Sequence, residues 1–136
     1  MTSAHERARN LTIKAEHDLA IARLGLRHQE AFDMVCFHLQ QAVEKLLKAL
    51  LECGGVEFPP THNLVTLLDL TEPHYPEVAA FRSTLPDFIP YAVRIRYDEE
   101  LYPDQEETAA ALELAETFRR LAHRLLPPAI VAPEKS

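Results

Sequence analysis

The run Phe37-His38-Leu39-Gln40-Gln41-Ala42-Val43-Glu44-Lys45-Leu46-Leu47-Lys48-Ala49 decides how this chain folds. Its apolar residues recur at helical spacing. Val35, Leu39, Ala42, Leu46, Ala49 and Leu50 make one stripe, and Cys36, Val43 and Leu47 widen it. So broad an apolar arc predicts a helix at the centre of its bundle. The helix is expected from Glu30 to Cys53, with Gly54-Gly55 ending it as a C-cap.

The polar residues of the same run have an order of their own. His38, Gln41, Lys45 and Lys48 are spaced three, four and three apart, which puts them within about 80° on the helix. Glu44 lies at the edge of this seam, placed to pair with Lys48 at i,i+4. A ring, an amide and two ammonium groups in line are the means to hold a phosphate and read a base edge. A plainer reading stands beside this one: a bundle helix needs a solvated face, and Glu–Lys pairs are its usual furniture.

Outward from this helix, helical signals continue on both sides. Upstream, Leu11, Ala15, Leu19, Ala22 and Leu26 share one face of a first helix, from near Ser3 to about His28. Downstream, after Phe58-Pro59-Pro60, Thr61 is the expected N-cap of a short helix with Leu64, Leu67 and Leu68. Residues 76–97 read as one or two helices interrupted near Pro86 and Pro90. Asp104, with Glu107 three residues on, opens a last helix whose face is Leu112, Ala115, Phe118, Ala122 and Leu125. Pro127-Pro128 ends it. The expectation is an all-α, antiparallel up-and-down bundle of four to five helices over residues 1–128, followed by a flexible tail at 129–136.

Bulk properties narrow the function. A chain of 136 residues with 47% hydrophobic side chains is one domain with a core of its own. Fourteen Lys and Arg against 21 Asp and Glu leave a net charge of −7, which argues against a general nucleic-acid coat. Cys36 and Cys53 belong to one helix, roughly 25 Å apart at 1.5 Å per residue, beyond disulfide reach. Neither is part of a C-x-x-C pair, and His5, His17, His28 and His74 show no metal spacing, so no metal and no cofactor are assigned. With no apolar signal core and no run of membrane-spanning length, the chain reads as cytoplasmic, without a membrane partner.

The run 37–49 resembles the signature helix of HEPN domains, F-H-x-x-Q-A-x-E-K-x-L-K-A. Thr61-His62-Asn63-Leu64 resembles that family's T-H-D/N-L turn, and Tyr91 through Arg94-Ile95-Arg96-Tyr97-Asp98 is similar to its Y-x-x-R-Y-P/D segment. The three matches come in family order, over about residues 10–126. The resemblance implies a helical bundle, usually a homodimer, often encoded beside a minimal nucleotidyltransferase as a toxin–antitoxin pair or substrate-binding subunit. It also adds His62, Arg96 and Tyr97 to the seam residues as candidates for contact with a nucleotide. His62 can serve instead to cap its turn, and Arg96 can pair with its acidic neighbours Asp98, Glu99 and Glu100.

Some members of the family are metal-independent ribonucleases, in which an Arg and a following His have four to six residues between them. Neither Arg94 nor Arg96 has a His in that window. Arg119 and His123 have only three residues between them and sit in the last turns of a helix, where basic groups also suit the dipole. Three functions follow from these residues. The first is a binding module whose seam holds a nucleotide, an RNA or the partner nucleotidyltransferase. The second is a ribonuclease using His38 or His123, and the third is a pure protein interface. The missing spacing favours the first and third.

Overall fold

The computed structural model of the chain describes residues 3–85 and 103–131. Among them are α1 (Ala4–His28), α2 (Phe32–Cys53), α3 (Leu64–Thr71), a 3-10 helix (Pro76–Phe81) and α4 (Gln105–Leu125), with no strand. The protein is an all-α helical bundle. No helix among the described residues is long and apolar enough to cross a membrane.

Local chemistry sets the ends of these helices. The Ser3 hydroxyl accepts the Glu6 N–H at 3.1 Å and starts α1. α1 stops where Gln29 turns left-handed, at φ 55°, and Ala31 follows at φ 49°. This tight connection moves the start of α2 from the expected Glu30 to Phe32, because a left-handed residue cannot belong to a right-handed helix. It also folds α2 back against α1 as an antiparallel neighbour.

Gly25 shows how closely the two helices approach. A Cβ at that position would lie 2.5 Å from Val35 Cγ2, so only glycine fits the crossing. At the far end of α2 the left-handed residue is Gly55, at φ 68°, while Gly54 keeps a helical conformation.

α2 is the centre of the bundle and packs against α1, α3 and α4. Val35, Cys36, Leu39, Ala42, Val43, Leu46, Leu47, Leu50 and Leu51 are all buried, as the wide apolar arc requires. Asn63, rather than Thr61, caps α3. Its side-chain oxygen accepts the N–H groups of Val65 and Thr66 at 2.9 and 3.2 Å. Thr61 serves the turn one step earlier, its hydroxyl accepting the Asn63 N–H at 3.1 Å.

The segment expected to be helical from residue 76 begins as the 3-10 helix, and its continuation past Leu85 lies outside the described residues. Phe81 from that helix meets Phe118 of α4 edge-on, with ring centres 5.1 Å apart. Asp104 and Glu107 complete the capping box that starts α4. Packing continues past Pro128: Ile130 is buried, and the Ala129 carbonyl accepts from Arg9 at 3.0 Å. Residues 132–136 lie outside the described residues.

Candidate functional site

The polar stripe of α2 is one surface with two buried carboxylates along its edges. On the edge facing α1, Asp18 divides its two oxygens. Oδ1 is 2.9 Å from His38 Nδ1, and Oδ2 takes the Lys45 ammonium. On the other edge Glu44 is the centre: His62 Nδ1 lies 3.0 and 3.1 Å from its oxygens, and Lys48 Nζ lies at 3.3 Å. The expected i,i+4 pair of Glu44 and Lys48 is therefore present, but it is one contact of several.

Between the edges, Gln41 donates to Gln40 Oε1 at 2.8 Å. Gln40, buried beside Glu44, donates to the His62 carbonyl at 3.4 Å and so ties the loop before α3 to α2. His62 does not cap the turn. Its ring, 79% exposed, leans on Glu44 instead.

The fold thus brings together five of the expected residues, His38, Gln41, Lys45, Lys48 and His62. Arg96 and Tyr97, with Arg94, lie outside the described residues.

Asp18 was not among the expected residues, although the sequence carries a signal for it. Leu11, Ala15, Asp18 and Ala22 run four, three and four apart, so the period of α1 sets an acid in the helix's buried stripe. An acid so placed needs a partner from another element, and here the neighbouring helix supplies two. Gln40 was likewise passed over, being indistinguishable by spacing from a solvated glutamine.

The electrostatics follow from these pairings. Asp18 and Glu44 offset Lys45 and Lys48, so these four residues carry no net formal charge. A carboxylate only accepts hydrogen bonds, so each imidazole meets its acid through an Nδ1–H and keeps Nε2 for a further partner.

The other basic cluster is built differently. Arg119 grips Glu16 of α1 with Nε at 2.5 Å and Nη2 at 3.1 Å, and His123 Nε2 stands 3.5 Å from the same carboxylate. Arg23 of α1 meets Glu116 of α4 at 2.6 Å. These contacts cross between α1 and α4 and hold the two helices together.

A shallow cleft of about 560 Å³ lies between the start of α1 and the loop after α2, walled by Arg7, Glu52, Val56 and Phe58. No residue of the polar seam lines it. Among the described residues no three His, Cys, Asp or Glu side chains converge as a metal site would require.

An all-α bundle with a central helix carrying a carboxylate-anchored polar seam is the class of protein this geometry defines. The HEPN domain family model matches residues 8–125, and the chain belongs to that family. No curated protein matches the chain, and no solved structure does.

Proposed function

We propose that this HEPN protein is a nucleotide- or RNA-directed binding module that works, as a homodimer, with a minimal nucleotidyltransferase in a toxin–antitoxin type system. The nucleotide, the RNA or the partner nucleotidyltransferase is held at the α2 seam by His38, Gln41, Lys45, Lys48 and His62, and the family resemblance adds Arg96 and Tyr97 to these contacts. One observation carries this reading above a solvated face. Both histidines of the seam are held at Nδ1 by buried carboxylates, 10% and 4% exposed, from Asp18 and Glu44. A merely solvated histidine has no need of a buried acid, whereas a histidine that must present Nε2 in one orientation does.

The ribonuclease alternative needs an arginine and a histidine free to meet one phosphate. Arg119 and His123 instead share Glu16, which favours a helix-to-helix contact over a ribonuclease site for that cluster. Calorimetry with ATP and with a short RNA, with RNA integrity followed in the same sample, tests the proposal. Binding without cleavage is the expected result, with affinity falling on the order of tenfold in His38→Ala, as loss of one good hydrogen bond implies. Failure of the wild-type protein to bind either ligand would overturn it. Cleavage abolished by His38→Ala or His123→Ala would install the ribonuclease in its place.

A further inference from the structure

We infer that Asp18 is a positioning residue of the seam: it keeps the His38 proton on Nδ1, so that the ring offers its Nε2 lone pair to a hydrogen-bond donor of the nucleotide, such as a ribose hydroxyl. The inference rests on the reading of the seam as a ligand site and adds to it a residue of α1 that touches no ligand.

Asp18 stands in the buried stripe of α1 between Ala15 and Ala22, with both oxygens engaged by α2. Its Oδ2 is taken by the Lys45 ammonium, which leaves Oδ1 as an acceptor and nothing else. The 2.9 Å contact to His38 Nδ1 therefore requires a hydrogen on that nitrogen. A neutral imidazole in water carries its proton mainly on Nε2, so Asp18 selects the tautomer that a free ring disfavours. Phe37, edge-on to the ring with centres 5.7 Å apart, further limits how the imidazole turns.

The same arrangement recurs at Glu44 and His62, again through Nδ1. It does not recur at Glu16, where the nitrogen facing the acid is Nε2 of His123. The two histidines of the seam share a geometry that the histidine of the α1–α4 contact lacks.

Charge alone predicts the opposite consequence for a change at Asp18. Removing this carboxylate frees Lys45, and a seam that worked only by attracting phosphate would then bind more tightly. Positioning predicts weaker binding.

Two variants separate these accounts. Asp18→Asn and Asp18→Ala remove the same charge, but asparagine keeps an oxygen to accept the Nδ1–H. Long-range ¹H–¹⁵N correlation spectra report which ring nitrogen holds the proton, with the His38 signals assigned by their absence in His38→Ala. ATP affinity is then measured by calorimetry.

The wild-type protein and Asp18→Asn are expected to hold the His38 proton on Nδ1 and to bind ATP within about twofold of each other. Asp18→Ala is expected to shift the proton toward Nε2 and to bind on the order of tenfold more weakly. A wild-type proton on Nε2, or a tautomer unchanged in Asp18→Ala, overturns the inference. So does an ATP affinity that is unchanged or increased in Asp18→Ala. Should Asp18→Ala fail to fold, the wild-type tautomer and Asp18→Asn still decide. If the wild-type protein binds neither ATP nor the short RNA, the reading of the seam as a ligand site fails, and the tautomer alone shows whether Asp18 orients the ring.

Discussion

The α2 seam and the α1–α4 contact are built from the same residue types, acids against histidines and long bases, yet they do different work. At the α1–α4 contact the main partner is arginine. Arg119 meets Glu16 with two nitrogens, and Arg23 meets Glu116, so the hydrogen bonds close the gap between helices. At the seam the partners are histidine and lysine, each bound through one nitrogen. Burial differs as well: the seam acids Asp18 and Glu44 are 10% and 4% exposed, against 27% and 20% for Glu16 and Glu116. Deep acids that hold only one end of a ring make a presented surface, whereas shallow acids gripped by a guanidinium make a clasp.

The most severe test of this contrast is to delete one acid from each region. Glu44→Ala is expected to destabilise the protein by about 3 kcal/mol, because it leaves the Gln40–His62–Lys48 network without its buried centre. Glu16→Ala is expected to cost about 1 kcal/mol, as for a partly exposed ion pair. Urea unfolding of both variants provides the comparison, and equal losses would erase the distinction.

Gly25→Ala should cost about 2 kcal/mol by forcing a methyl into Val35 at the α1–α2 crossing. Since that crossing sets the distance from Asp18 to α2, the same variant should also disturb the His38 ring signals while leaving those of His123 in place. Movement of both rings together would mean that the two regions are not independent.

Lys45→Ala, which on sequence alone would only weaken ligand binding, now has a structural consequence too. It leaves Asp18 with His38 as its one described partner, and a loss of about 1–2 kcal/mol is expected in thermal or urea unfolding. Arg120→Ala, whose partners Thr117 and Glu113 are exposed, should change stability by less than about 0.5 kcal/mol.

The last test concerns the two ends of α2 and has no effect near neutral pH. Burial pushes the Cys36 thiol up from 9.0 to about 11, against the opposing Thr108 hydrogen bond. Below pH 9 the folded and unfolded chains both hold this proton. Between pH 9 and about 11 the unfolded chain releases it first, so the contribution of Cys36 to stability falls as pH rises through that window. Cys36→Ala should flatten this part of the stability–pH curve. Cys53, half-buried, should react with a thiol reagent in the native protein well before Cys36 does.

Much of this architecture could be read in the chain because it rests on local rules. The wide apolar arc of residues 35–50 marked α2 as central. Asp104 and Glu107 announced the start of α4, and Leu64, Leu67 and Leu68 gave the buried side of α3. Errors fell at connections. Thr61 and Asn63 are both good caps, and only the backbone course of the turn selected Asn63. The start of α2 moved because Ala31 is left-handed, a conformation its identity does not favour.

By itself, then, the sequence determined the helices, the central place of α2, and the grouping of His38, Gln41, Lys45 and Lys48 on one face, since all of these follow from a period of 3.6 residues. The tertiary structure decided what that face contains. Asp18 is twenty positions from His38, and His62 is eighteen from Glu44. No helical period relates such pairs. They meet because a short left-handed turn lays α1 against α2 and because Gln40 draws the loop before α3 onto the same helix, and contacts of that range are set by packing alone.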